Sequence, residues 1–182
     1  MMRYLILLAT VFLFFITVSA QQKHTVTFNS YNSVGFVAGK LPIAFAAQTE
    51  NGIKIKNWFI GAGFGIDNYY KKTLPLFGAI KKEFPFKSSS LFLYGNAGRN
   101  LIAYDKEIKN TFSNISNKGG LYIDAGVGYK IKVNKNSGIF FSMGNTLKKI
   151  NETETSTDTG FPYAYQAKRE FSRISLRIGL QF

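Results

Sequence analysis

The sequence predicts an all-β fold, an eight-stranded antiparallel up-and-down β-barrel, and three observations lead to it. Several stretches alternate apolar and polar residues with a period of two, which only an extended strand sorts onto two faces. Glycine (17 residues) and aromatic residues (16%) are frequent, and no apolar stripe of period 3.6 persists. Separately from these three observations, the absence of cysteine excludes a disulfide scaffold and a thiolate metal site.

The first segment, "MMRYLILLATVFLFFITVSAQQ", has the layout of a secretory signal peptide. Arg3 precedes an apolar run, and the small residue Ala20 comes just before two polar glutamines. The apolar run is shorter than the roughly 20 residues that span a bilayer, which makes an uncleaved anchor helix the weaker alternative. We expect residues 1–20 to be a cleaved signal peptide and residues 21–182 to form one barrel domain.

Residues 58–67 indicate what kind of barrel the chain forms. One face carries Trp58, Ile60 and Phe64, whereas the other carries glycines and ends with Asp67. Residues 121–133 repeat this pattern. Small and charged residues suit the narrow interior of a barrel whose apolar faces contact lipid, so the alternation predicts a transmembrane barrel. The remaining strands are predicted at 24–38, 43–56, 73–84, 90–104, 138–147 and 171–182.

The second predicted strand contains Asn51-Gly52, a dipeptide that is typical of a hairpin turn. The alternation continues without a break across it. We therefore expect one long strand here, with a turn at Asn51-Gly52 as the alternative.

The lengths of the connections agree with a membrane barrel. The links after the second, fourth and sixth predicted strands are short, whereas residues 105–118 and 148–170 form two long polar links. Outer-membrane barrels have short periplasmic turns and longer outer loops. We expect these two long loops to carry any contact with an extracellular ligand.

The last segment, "FSRISLRIGLQF", alternates up to Phe182, and we expect it to close the barrel by pairing with the first strand. In "RISLRIGLQF", and also in "LYIDAGVGYKIKV" and "TLPLFGAIKKEF", the sequence resembles the small eight-stranded outer-membrane β-barrels of the OmpA/OmpX-like type from gram-negative bacteria. The resemblance implies a bacterial outer-membrane location. It also implies that the barrel-insertion machinery recognises Leu176, Ile178, Leu180 and Phe182.

Charged residues also occur on the faces that are predicted to point inward. A buried charge without a partner is costly, so mixed signs there predict a plugged polar core, with a conducting pore as the alternative. The predicted lumen charge network contains Glu50, Lys54, Asp67, Lys81, Glu83, Asp124, Lys130, Arg173 and Arg177.

The formal net charge of +13 indicates an anionic partner, and export makes nucleic acid the poorest candidate. Basic residues cluster near the predicted outer rim, where lipopolysaccharide phosphates would lie; ordinary solvated lysines are the alternative. The predicted outer-rim set contains Lys71, Lys72, Lys106, Lys148, Lys149, Lys168 and Arg169.

No catalytic or metal motif stands out. The one histidine, His24, is predicted at the periplasmic mouth or in a frayed terminus, so we expect no enzymatic activity and no cofactor. The expected protein is a monomer in outer-membrane lipid with a structural or adhesion-like surface role. Two alternatives remain: a barrel enzyme that modifies lipid A or phospholipid, and a soluble exported lipocalin-like barrel whose apolar faces point inward to bind an apolar ligand.

Overall fold

The chain forms nine strands in a computed structural model that describes residues 26–68, 70–103, 108–109, 113–134, 137–156 and 164–182. Eight strands are long, and the two-residue β6 pairs only with β7. The strands are β1 (Val26–Ala38), β2 (Ala44–Ile55), β3 (Trp58–Asp67), β4 (Thr73–Pro85), β5 (Ser89–Ile102), β6 (Ile108–Lys109), β7 (Ser113–Lys132), β8 (Gly138–Ser156) and β9 (Ala164–Gln181).

The eight long strands form a closed antiparallel barrel, as the sequence predicted. Consecutive long strands pair with each other, and β9 pairs with β1 to close the ring. The register climbs during one circuit, because a chain of paired residues that starts at Gln181 of β9 returns to β9 at Phe171. This offset of about ten residues is the shear that tilts the strands of a closed barrel. The circuit runs through Tyr31, Glu50, Gly63, Phe77, Gly98, Tyr122 and Lys148.

The connections lie at two ends of the barrel, which we call the turn end and the loop end. The turn end holds the short links after β2, β4 and β7, together with the start of β1 and the end of β9. The loop end holds the links after β1, β3 and β8 and the segment between β5 and β7. Asn51-Gly52 lies inside β2, which confirms one long strand at that point.

The two predicted long loops are wrong in extent. Part of residues 105–118 belongs to β6 and β7, and most of residues 148–170 belongs to β8 and β9. These strands continue beyond the barrel wall at the loop end, where β7, β8 and β9 stay paired. The sequence of these extensions is mostly polar and has no regular apolar–polar alternation that would mark the strands, although backbone pairing and β-branched residues such as Thr153 still favour them.

The side chains of the barrel are arranged with the apolar face outward. Exposed exterior residues include Phe64, Val127 and Leu176, whereas Glu50, Asp124 and Arg177 are buried in the interior. This contradicts the lipocalin-like alternative, which requires Val127, Ile174 and Leu176 to form a core. No helix among the described residues is long and apolar enough to cross a membrane.

Candidate functional site: the charged interior and the loop end

Glu83 on β4 is the centre of the ion-pair cluster near the turn end of the interior. Its carboxylate lies 2.5 Å from the ammonium of Lys54 and 2.6 Å from that of Lys130, which come from β2 and β7. The hydroxyl of Tyr31 on β1 donates a third bond at 2.8 Å. One carboxylate therefore links four strands, and each of its oxygens has a charged donor, which is the arrangement that a buried ion needs.

The next carboxylate, Glu50, pairs with Lys81 at 2.7 Å, and both side chains are buried. Gln48 and Asn96 donate to the same carboxylate at 2.9 and 3.2 Å. The Lys81 ammonium also lies 3.9 Å from the centre of the Tyr31 ring. Three further rings surround it at 5.4–5.8 Å, those of Phe59, Phe92 and Phe140. Cation–π attraction and the carboxylate together hold the ammonium away from water.

Asp124 on β7 is the centre of the third cluster. It is fully buried and lies 2.7 Å from the guanidinium of Arg177 on β9. Thr146 donates to Asp124 at 3.0 Å, and the Arg177 guanidinium reaches the Tyr94 hydroxyl at 3.4 Å. The cluster joins β5, β7, β8 and β9, so it ties together the half of the barrel opposite Glu50.

Asp67 forms the fourth cluster, towards the loop end, and corrects one prediction. It pairs with Lys148, which was predicted on the outer rim, and accepts a bond from Thr73 at 2.7 Å. Lys148 is buried because β8 does not end at residue 147; the inward positions simply continue from Thr146 to Lys148. Arg173, also buried, donates to the carbonyl of Pro42 at 3.2 Å.

Aromatic rings fill the space between the clusters. Three phenylalanines lie directly across the sheet from interior glycines, and a side chain on each glycine would collide with the ring opposite. The pairs are Phe77 with Gly63, Phe92 with Gly128, and Phe140 with Gly179. A barrel of eight strands is just wide enough for its side chains to fill it, and these pairs show how the filling is achieved.

The loop-end extension carries exposed ion pairs. Lys149 pairs with Glu170, and Arg169 pairs with Glu152 at 2.5 Å. This hydrogen bond raises the pKa of Arg169 above its ordinary value. The Tyr70 ring stacks on Phe171, with ring centres 5.3 Å apart.

The residues of the predicted outer-rim set therefore lie in different environments and do not form one basic cluster. Lys72 and Lys168 are exposed, Lys71 is half-buried, and Lys106 lies outside the described residues. Lys149 and Arg169 are exposed but already hold carboxylates. No signal in the sequence marked these pairs, because they depend on the extended register of β8 and β9.

The predicted insertion residues share one line along β9. Leu176, Ile178, Leu180 and Phe182 are all exposed on the exterior. The backbone of Phe182 exchanges two hydrogen bonds with Ser30 of β1, at 2.9 and 3.0 Å. The line therefore follows the seam at which the first and last strands meet.

Little in the described chain resembles a catalytic centre. No group of three or more histidine, cysteine, aspartate or glutamate side chains that could hold a metal occurs among the residues that were placed. His24, the residue on which the enzyme alternative depended, lies outside the described residues. Each of the four interior carboxylates, Glu50, Asp67, Glu83 and Asp124, is paired with a lysine or an arginine.

Comparisons with known proteins agree with the fold. No protein-family model and no curated protein sequence matches this chain. The crystal structure of Neisserial surface protein A is similar over 88% of this chain and 98% of that one, with 10% identity and a TM-score of 0.55. A mutant porin of Rh. blastica has a TM-score of only 0.15 at 7% identity, which is too low to indicate a shared fold. At such low identity the first likeness shows the architecture alone: this chain shares the closed eight-stranded barrel of a bacterial surface protein.

Proposed function

We propose that this protein is an integral β-barrel of a bacterial outer membrane, with a structural or surface-interaction role and no catalytic activity. The observation that carries the proposal is the inverted polarity of the barrel. Every long strand has exposed apolar side chains on the exterior, such as Phe64, Leu93 and Val127, whereas the ion pairs within the barrel wall, such as Glu50–Lys81 and Asp124–Arg177, are buried inside. Such a surface is stable in hydrocarbon and would aggregate in water.

The proposal is tested by fractionating cells that express the full-length chain and by electrophoresis of the detergent extract with and without boiling. We expect recovery in the outer membrane and a mobility that changes on boiling, because a closed barrel resists detergent until heated. Recovery as a soluble periplasmic protein with no shift would overturn the proposal. Loss of the signal segment during export is read from the mass of the same band.

The finer part of the proposal is that the loop end contacts lipopolysaccharide and extracellular partners. Lys72 and Lys168 are exposed there, and neither forms an ion pair within the described residues. The extension of β7, β8 and β9 also raises a polar surface beyond the apolar wall. Cations at this height are in reach of lipid A phosphates if the loop end faces outward.

A pair of variants separates this contact from general attraction of a basic protein. We expect Lys72→Gln with Lys168→Gln to weaken binding of purified lipopolysaccharide to the detergent-solubilised barrel. The matched control, Lys87→Gln with Lys132→Gln, removes the same charge at the turn end and should leave binding unchanged. Equal weakening by the two double variants would contradict a specific loop-end contact.

The exterior line on β9 supports a second partner, the barrel-insertion machinery. We propose that Leu176, Ile178, Leu180 and Phe182 form the recognised signal. Phe182→Ala should reduce the amount of heat-shifting protein in the outer membrane without changing the mobility of the molecules that do assemble. Leu121→Ala, which truncates another exposed exterior residue on β7, is the control and should assemble normally. Equal assembly of the two variants would argue against the signal.

A further inference from the structure

Four polar residues interrupt the apolar exterior on β1 and β2. Ser30 and Asn32 of β1 face outward beside Asn51 and Thr49 of β2, their direct partners in the register. Thr49 and Asn51 are paired in turn with Phe64 and Ala62, in the middle of β3. The polar patch, as we call these four residues, therefore extends from Ser30, whose backbone bonds that of Phe182 near the turn end, to Thr49 at mid-height.

The hydrogen bonding of the polar patch is incomplete. Asn32 donates to Ser30 at 3.0 Å, and Asn51 donates to Thr49 at the long distance of 3.4 Å. Within the described chain, neither amide oxygen accepts a bond. Hydrocarbon offers no partner either, so a monomer in lipid leaves these groups unsatisfied at a cost in free energy. Polar side chains within the apolar band of a membrane protein normally face another protein surface.

A groove of about 810 Å³ runs beside the polar patch. Ala47 lines it, together with the exposed side chains of Phe64, Ile178 and Leu180. The surface thus offers a recess and a ridge on neighbouring strands, which a self-complementary contact requires.

We infer that the polar patch and its groove are the contact surface of a homodimer in the membrane, a conclusion that rests on the proposed membrane location. A carboxamide carries both donors and acceptors, so two copies of the same patch complement each other across a twofold axis parallel to the barrel axis. Lipid chains can fill the groove but cannot bond the amides. This inference differs from the monomer that the sequence analysis predicted.

The size of the surface sets how tight the dimer is. A face of four strands spaced about 4.8 Å apart and about 25 Å tall covers roughly 500 Å² per copy. This is less than the roughly 800 Å² per partner of a stable interface. The dimer is therefore reversible, and its population rises with the ratio of protein to lipid.

The absence of native cysteine makes a direct test simple. Asn51→Cys introduces one thiol in the polar patch, and Ala125→Cys places one on the exposed exterior of β7, on the opposite side of the barrel. Each full-length variant is reconstituted in phosphatidylcholine vesicles at two protein-to-lipid ratios and oxidised. We expect disulfide-linked dimer for Asn51→Cys, increasing with the ratio, and only a low background for Ala125→Cys.

A second variant tests the role of the amides themselves. Asn32→Leu with Thr49→Val, added to Asn51→Cys, should lower the linked dimer about threefold to fivefold. The variant should still show the boiling-dependent shift, because both new residues suit lipid. Equal disulfide linking of Asn51→Cys and Ala125→Cys would overturn the dimer, as would an unchanged amount of linked dimer when Asn32→Leu and Thr49→Val are added. If the boiling-dependent shift is still seen in these cases, the membrane barrel itself is not contradicted. Absence of the shift in the parent chain would overturn the membrane barrel and the dimer with it.

Discussion

Carboxylate–cation pairs occur in two regions of this molecule, and they differ in what surrounds them. In the interior, Asp124 and Arg177 are both buried, and Thr146 also donates a hydrogen bond to the carboxylate. In the loop-end extension, Lys149 and Glu170 are 48% and 61% exposed. Water can replace an exposed pair at little cost, whereas a buried charge that loses its partner has no substitute. The interior pairs therefore hold the fold, and the loop end is free to change.

The largest effect is expected from breaking an interior pair. Asp124→Asn leaves the Arg177 guanidinium buried without its counter-ion, which should lower the free energy of unfolding by about 3–5 kcal/mol. The measurement is urea unfolding of the barrel in vesicles, followed by the fluorescence of Trp58.

A double variant is the control for this prediction. Asp124→Asn combined with Arg177→Met removes the stranded charge and should recover most of the lost stability. If Asp124→Asn unfolds at the same urea concentration as the parent chain, the interior pair does not hold the fold as described.

Interior and exterior glycines should also differ in their tolerance of a side chain. A methyl group on Gly128 would lie within 2.1 Å of the Phe92 ring, so Gly128→Ala should cost about 1–3 kcal/mol through overpacking. The nearest atom to a methyl group on Gly78, which faces outward, is 3.9 Å away. Gly78→Ala should therefore be neutral or slightly stabilising. Equal effects on the unfolding midpoint would mean that the interior is not tightly filled.

The turn end offers a smaller and opposite effect. Lys56 is the one non-glycine residue of the described chain with a positive φ, at 56°, in the tight turn between β2 and β3. Asparagine tolerates this conformation better than lysine, so Lys56→Asn should raise the free energy of unfolding by about 0.5 kcal/mol. Lys87→Asn, in the next turn at this end, is the control and should change nothing. A lower stability for Lys56→Asn would show that contacts of the lysine side chain contribute more to stability than relief of the positive φ does.

The smallest effect is expected at the loop end. Lys149→Gln removes an exposed ion pair and should change the free energy of unfolding by about 0.3 kcal/mol, and less in high salt. The same urea titration at two salt concentrations measures it. A loss comparable to that of Asp124→Asn would erase the distinction between the two regions.

The sequence predicts those parts of the barrel in which the two faces of a strand differ. Residues 58–67 were predicted to the residue, because tryptophan, isoleucine and phenylalanine alternate there with glycines. The four interior carboxylates were also placed on the inward faces. The extensions of β8 and β9 were missed, because a mostly polar stretch without regular alternation leaves no period to detect.

Other features depend on the register, which a single sequence does not contain. The pairs of phenylalanine and glycine join residues on different strands, so neither residue marks the pair by itself. The burial of Lys148 follows only once β8 is known to continue past residue 147. The polar patch is likewise invisible until β1 is aligned with β2.

The central claim, that the apolar exterior faces lipid, can be tested with the single tryptophan of the chain. Trp58 is exposed on the exterior at the turn end. In vesicles of brominated lipids, its fluorescence should be quenched more by bromine near the headgroups than by bromine at the chain ends. In Trp58→Phe with Phe64→Trp, where the tryptophan moves to mid-height, the order should reverse. If neither protein is quenched relative to unbrominated vesicles, the exterior does not face lipid and the account is contradicted.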